Sequence, residues 1–105
     1  MLEFTCYILR CSDGSFYTGH TDRLEYRIGQ HHAGKGSDWT RRRLPIELVW
    51  SQEFPTRIEA LEAERRIKNW SRAKKHALIN GDWDLTSYFS KPPSERPSTS
   101  LGTND

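Results

Sequence analysis

Residues 4–20 read Phe-Thr-Cys-Tyr-Ile-Leu-Arg-Cys-Ser-Asp-Gly-Ser-Phe-Tyr-Thr-Gly-His. Residues 4–11 are rich in aromatic and β-branched types and read as a strand. Ser12-Asp13-Gly14 is a turn signal, and residues 15–20 read as a second strand, giving an antiparallel hairpin. The turn sets how Tyr7 and Tyr17 relate. A two-residue Asp13-Gly14 loop pairs Ser12 with Ser15 and sends the tyrosines to opposite faces. A three-residue loop pairs Cys11 with Ser15 and Tyr7 with Gly19, puts both tyrosines on one face, and leaves Gly14 left-handed. The sequence leaves both open. Gly19 would let a ligand approach the strand closely, whereas strand tyrosines can also simply fill a core.

Outward from the hairpin, Thr21 or Asp22 can cap a helix over about residues 23–33. Gly34-Lys35-Gly36-Ser37 ends it and opens a basic loop through Arg43. Pro45 precedes a third strand, 46–54, with a Val49-Trp50 centre expected to be buried. Thr56 caps the longest helix, with Glu59 three residues on as in a capping box; it runs to about Trp70. Ser71 caps a shorter helix through Ile79, stopped by Asn80-Gly81. The order β-β-α-β-α-α is α+β, and no internal repeat is visible. Residues 82–89, with Trp83, Leu85, Tyr88 and Phe89, are expected to pack back onto the domain. From Ser90 onward Pro, Ser and Thr dominate, which reads as a disordered tail. The domain therefore spans 1–89 and the tail 90–105.

A chain of 105 residues supports one modest core and an open, shallow site, which suits a polymer better than a small metabolite. Net charge is only +2, but the basic residues cluster. Arg23, Arg27, Lys35 and Arg41 to Arg43 form one group; Arg57, Arg65, Arg66, Lys68, Arg72, Lys74 and Lys75 form another. Interleaved with Trp39, Trp50 and Trp70, they read either as a phosphate-binding face or as a solvated helical surface. Cys6 and Cys11 lie an odd number of residues apart in one strand, so their side chains diverge and a mutual disulfide is disfavoured. Nothing resembles a signal peptide or membrane span, and a reduced, cytoplasmic protein is expected.

On the first helix, Leu24 and Ile28 define an apolar stripe, with Arg27 and His31 beside it, one turn apart. A guanidinium can grip phosphate oxygens and offset transition-state charge, and an imidazole can accept a proton from water near neutral pH. The alternative is an arginine that snorkels and a histidine that packs. On the long helix Ala60, Ala63, Ile67 and Trp70 share one arc, and Glu64 falls inside it. A carboxylate there needs a partner. It is either a ligand for a hard cation or half of an ion pair with Arg27 or another basic residue.

These residues resemble a known family. Thr5-Cys6-Tyr7 and Tyr17-Thr18-Gly19 look like the two halves of the GIY-YIG signature. Arg27-x-x-x-His31 follows, and Glu64 sits in a later helix. The resemblance covers about residues 4–80 and is closest to small stand-alone bacterial GIY-YIG proteins, through residues 7–11, 13–15, 17–19, 34–36 and Arg72-Ala73-Lys74-Lys75. It implies a GIY-YIG-type sandwich, a three-stranded antiparallel sheet flanked by helices, and metal-dependent hydrolysis of phosphodiester bonds. Carried over by position, Tyr7 and Tyr17 line the site, Arg27 binds the scissile phosphate, and Glu64 holds Mg²⁺ or Mn²⁺. His31 falls at a position that is Tyr or His in relatives, and either a tyrosine or His31 is the base. Three departures stand out: Thr5 and Cys6 replace Gly and Ile, Thr18 replaces Ile, and His20 stands where several relatives carry lysine.

The expected substrate contacts are Gly19, His20, Lys35, Trp39, Arg41, Arg42 and Arg43. The resulting expectation is a nuclease acting on DNA rather than RNA, with structure-specific or repair-related cleavage as one option, monomeric, and with a partner protein as one source of specificity. Two other readings stay open. One is a non-catalytic nucleic-acid-binding module that stacks and grips through the loop around Trp39. The other is a zinc site drawn from Cys11, His20, His31 and His32, which lack a recognised ligand spacing.

Overall fold

A computed structural model describes residues 3–82; the expectations for residues 83–89 and for the tail from Ser90 lie outside them. Strand β1 (Phe4–Arg10) pairs antiparallel with β2 (Phe16–Thr21) and with β3 (Glu47–Phe54), in the order β2-β1-β3. Helix α1 (Leu24–His32) follows β2. A short helix α2 (Asp38–Arg41) precedes β3, and α3 (Arg57–Lys68) and α4 (Arg72–Ile79) close the order. This is the expected α+β arrangement with one added turn of helix.

The hairpin takes the three-residue turn. Cys11 N donates to Ser15 O at 2.9 Å, and Tyr7 stands opposite Gly19 and Leu9 opposite Tyr17. Gly14 has φ of 85°, a conformation that an L side chain resists. The side chain of Asp13 accepts from the Ser15 backbone N–H and hydroxyl at 3.0 and 2.6 Å. Both tyrosines therefore lie on one face of the sheet.

On that face Tyr7, Leu9, Cys11 and Ile46 form a buried cluster, and Tyr17, Leu24 and Ile28 pack against it. The stripe read from the sequence is what docks α1. Cys6 and Ile8, pointing the other way, are also fully buried, so β1 is covered on both faces. Both cysteines are free thiols. The Val49-Trp50 centre of β3 is only half-buried. β3 is an edge strand, and its pairing with β1 shifts register between Ile8 and Leu9, which opens the strand exactly where continuous burial was expected.

Capping explains most helix starts. Thr56 Oγ1 accepts from Glu59 N at 3.1 Å, and Ser71 accepts from Lys74 N at 3.2 Å. The start of α1 differs from expectation. Arg23 is its cap residue and makes no side-chain cap bond; Thr21 Oγ1 instead accepts from Arg23 N at 3.0 Å, one step before the helix. Internal packing divides the chain into two units that part at Glu64/Arg65, inside α3. In the second, Ile67 and Leu78 are buried, and Gly81, with φ of 82°, ends α4.

Candidate active site

The site is built on what the hairpin turn brings to one face. Tyr7 and Tyr17 have ring centroids 6.5 Å apart. His31, one turn beyond Arg27 on α1, meets both. Its ring lies 5.9 Å from Tyr7 and 5.2 Å from Tyr17, edge-on in each case. The Tyr7 hydroxyl and His31 Nε2 are 3.1 Å apart, and His31 Nδ1 is 2.9 Å from Thr40 Oγ1. Both ring nitrogens are thus engaged and His31 is completely buried.

Two glycines make room for this cluster. A Cβ on Gly19 would stand 2.7 Å from the Tyr7 hydroxyl, and one on Gly36 only 2.1 Å from His31 Nδ1. Neither position tolerates a side chain without moving the ring beneath it. Gly36 also holds the arginine. Arg27 Nη2 donates to Gly36 O at 3.1 Å, and Nη1 donates to Gln30 Oε1 at 3.0 Å. The guanidinium is half-buried and oriented.

Burial pushes Tyr7 up to about 12, with the charges of Tyr17 and Glu64 adding to the rise; hydrogen bonding to Arg27 and the charge of Arg27 pull it back. Burial, then the charges of Arg27 and His32, lowers His31 to about 4. His31 is thus a completely buried ring whose neutral form the surroundings favour. Tyr17 keeps partial exposure.

Glu64 comes from α3. Its side chain is 13% exposed, and Ala60, Ala63 and Ile67 of the same arc are fully buried. Its partner is His20, whose Nδ1–H donates to Glu64 Oε1 at 2.5 Å. Glu64 thus has a hydrogen-bonded partner in His20, a residue the sequence set among the expected substrate contacts. His20 follows Gly19 on β2, so alternation turns it to the face opposite the tyrosines. Glu64 is linked to them by its charge acting on Tyr7.

The basic loop is less free than the sequence implied. Arg41 Nη2 donates to Asp38 Oδ1 at 2.7 Å. Arg43 Nε donates to Asp13 Oδ2 at 3.0 Å, and the Arg43 guanidinium covers the Trp39 ring at 3.4 Å. The Trp39 indole N–H donates to Ser15 Oγ at 3.2 Å. One face of the presumed stacking platform is already occupied. Lys35 and Arg42 are exposed.

Ser37, read from the sequence only as part of the stop after α1, and Thr40, not singled out there, both bear on the site. Ser37 caps α2 by accepting from Thr40 N at 3.2 Å, and Thr40 carries the hydroxyl that meets His31. The Ser37-x-x-Thr40 spacing is a capping signal that could have revealed the helix. Among the described residues no three His, Cys, Asp or Glu side chains converge as a metal cage, which leaves the zinc reading without a ligand set there.

Comparison with known proteins bears on this arrangement directly. Residues 3–77 match the profile of the GIY-YIG catalytic domain. The chain belongs to the GIY-YIG family. It is 45% identical over 73 residues to a UPF0213 protein of Bacillus pumilus, covering 70% of this chain and 74% of that protein. It is 41% identical over 85 residues to a UPF0213 protein of Streptococcus pneumoniae, covering 79% and 86%. A solution structure of a UPF0213 protein from Bacillus halodurans is similar at 35% identity with a TM-score of 0.51, covering 98% of each chain. A solution structure of an E. faecalis protein matches at 35% identity and a TM-score of 0.55, covering 78% of this chain and 88% of that one. Membership of the GIY-YIG family implies a nuclease-type domain with a nucleic-acid substrate. Among the described residues no helix is long and apolar enough to cross a membrane.

Proposed function

We propose that this GIY-YIG domain is a metal-dependent endonuclease that hydrolyses phosphodiester bonds in DNA, with structured or damaged DNA as its substrate. The observation that carries the reading is that β1, β2 and α1 bring Tyr7, Tyr17 and His31 together on one face, with Arg27 oriented on the same helix by Gln30 and Gly36. A guanidinium to bind the phosphate and a carboxylate to hold a cation are the two charges that phosphodiester cleavage needs.

In this reading Arg27, held by Gln30 and Gly36, grips the scissile phosphate and offsets the charge that grows on it. The Thr40 hydroxyl donates to Ser37 O at 3.3 Å, which leaves its oxygen to accept from His31 Nδ1–H. His31 Nε2 then accepts from the Tyr7 hydroxyl. Tyr7 and His31 form a buried neutral pair that positions the ring of Tyr17. Tyr17, the more exposed tyrosine, takes the proton from the attacking water. A phenol accepts that proton only as its phenolate, and the ordinary phenol pKa is near about 10.

Glu64 supplies a hard carboxylate oxygen on a mostly buried arc, a donor that fits Mg²⁺ or Mn²⁺ retaining most of its waters. Such a cation would stabilise charge on the phosphate and leaving oxygens. His20 orients Glu64 for this role. The second reading, a binding module without catalysis, relied on the Trp39 loop, and the engagement of Arg41 and Arg43 weakens its support.

The test is nicking of a panel of linear, branched and damaged DNA with Mg²⁺ or Mn²⁺. Wild type is expected to cut, and Glu64→Gln to lose cutting while keeping its circular dichroism spectrum. Arg27→Ala should lower turnover at least about 100-fold, with a smaller change in binding. A Glu64→Gln protein as active as wild type overturns the assignment.

A further inference from the structure

Helix α1 carries a second arc of side chains beside the one that buries His31. At about 100° per residue, Tyr26, Gln30 and Arg27 follow one another around the helix, and His31 comes next, toward the core. Tyr26 is 55% exposed, yet its ring is held in place. Gln30 Nε2 donates to the Tyr26 hydroxyl at 3.3 Å, and Oε1 of the same amide accepts from Arg27 Nη1 at 3.0 Å. One side chain therefore sets the aromatic ring and the guanidinium next to each other. The Arg23 guanidinium lies 4.4 Å from the centroid of the Tyr26 ring, and the residue keeps its exposure even with that contact in place.

Tyr26 and Arg23 also line a cleft of about 450 Å³, together with Glu3, Asp22, Glu25 and Glu53. Small-molecule sites run from about 300 to 1,000 Å³, so a nucleobase is within the size this cleft accepts. Thr5 lines it too, and Thr5 stands two residues before Tyr7 on β1, on the same face of the sheet. The cleft therefore opens on the face that carries the tyrosines. Its carboxylates repel phosphates, whereas they accept hydrogen bonds from the amino groups of cytosine, adenine and guanine. The part of a nucleic acid that suits this cleft is a base, and the part that suits Arg27 is a phosphate. Unpaired bases stack on aromatic rings and guanidinium planes, and Tyr26 and Arg23 supply both.

We propose that Tyr26 is a specificity-determining residue that stacks on an unpaired nucleobase, seated in the cleft, beside the phosphate gripped by Arg27. The proposal rests on the reading of Arg27 as the phosphate ligand and adds a substrate feature to it. In a continuous duplex each base is stacked between its neighbours and its plane is closed to a side chain; an unpaired base offers that plane at no unstacking cost. Because Gln30 fixes the ring and the guanidinium together, base and phosphate are read as one unit. The domain then selects DNA with unpaired nucleotides over continuous duplex.

The experiment is fluorescence anisotropy, in EDTA, of a labelled oligonucleotide duplex that carries a short unpaired cytosine flap. It is compared with the same oligonucleotide whose flap is abasic and with the continuous duplex. Wild type is expected to bind the cytosine flap about tenfold tighter than either, a ratio within the range of one base–aromatic stack. Tyr26→Ala should bring the ratio of cytosine to abasic flap close to unity. Tyr26→Phe keeps the ring and loses only the hydroxyl, and should keep most of the ratio. Should Tyr26→Ala misfold, Tyr26→Leu, apolar but without a π face, should lose the ratio in its place. A wild-type ratio near unity overturns the proposal, as does a ratio that survives in Tyr26→Ala or Tyr26→Leu, or a wild type that binds none of the three oligonucleotides. Arg27→Ala separates the two readings, because it should weaken the cytosine and abasic flaps by the same factor. Weakened binding there with a ratio indifferent to Tyr26 removes the stack and leaves the phosphate grip. A Tyr26-dependent ratio with Arg27→Ala binding like wild type removes the grip and leaves the stack.

Discussion

Enclosed by Tyr7, Thr40 and the backbone of Gly36, the His31 ring is held neutral, with its pKa lowered to about 4 by burial first and by Arg27 and His32 next. In the unfolded chain a histidine titrates near about 6.5. The folded value is the lower one, so folding favours the uncharged form. That contribution is complete above about pH 6.5 and is lost as pH falls through the window from about 6.5 to 4. Its size is on the order of 3 kcal/mol. Urea unfolding at pH 7, 5.5 and 4.5 should show wild type losing stability across this window, and His31→Gln losing much less. Parallel losses in the two proteins would assign the acid sensitivity elsewhere. The same residue marks a limit of sequence reading. The helical wheel placed Arg27 and His31 side by side, and the structure keeps them so. The wheel gives direction around α1 only, and it carries no information about the loop that closes over the ring. Gly36 was visible merely as a helix terminator, although its missing side chain is what the His31 ring occupies.

The segment between α1 and β3 is a clamp built from short-range rules. Ser37 caps α2, and that cap sets Thr40 so that its hydroxyl reaches His31 Nδ1 at 2.9 Å. Thr40→Val keeps the shape and removes the hydroxyl, leaving a buried ring nitrogen without its bond at a cost of about 1–3 kcal/mol. It should also slow nicking, since the Tyr7–His31 pair loses its anchor. Thr40→Ser should restore most of both. A Val variant with unchanged urea midpoint and turnover would show that the clamp does not hold the ring. The long elements were legible because each combined a cap with a hydrophobic period: Leu24 and Ile28 for α1, Ala60, Ala63 and Ile67 for α3. A four-residue helix has too few turns for any period, so α2 was read as loop. The hairpin turn was undecided because Asp13-Gly14 suits two loop lengths. The bonds of the Asp13 side chain to Ser15 accompany the longer one, and that choice, one residue in length, decides whether the two tyrosines share a face.

Across the whole molecule, charge serves folding and binding to very different degrees. The carboxylate pairs of Arg10, Arg41 and Arg57 are exposed on both partners, and such pairs are each worth about 0–1 kcal/mol. Among the described residues the largest fully buried side chains include Tyr7, Ile8, Leu9 and Ile67, and burying one large apolar side chain contributes about 1.5–3 kcal/mol. Stability should therefore depend little on ionic strength. Nucleic-acid affinity should depend on it steeply, because a cation such as Arg27 that meets a phosphate displaces counterions from it. Raising NaCl from about 50 to 500 mM shortens the Debye length from about 14 to 4 Å. Over that range the urea unfolding free energy should change by less than about 1 kcal/mol. The affinity for the labelled oligonucleotide should fall by at least about 100-fold. If the two quantities fell together, the basic residues would be sustaining the fold itself, and the division of labour between an apolar core and a cationic substrate surface would be wrong.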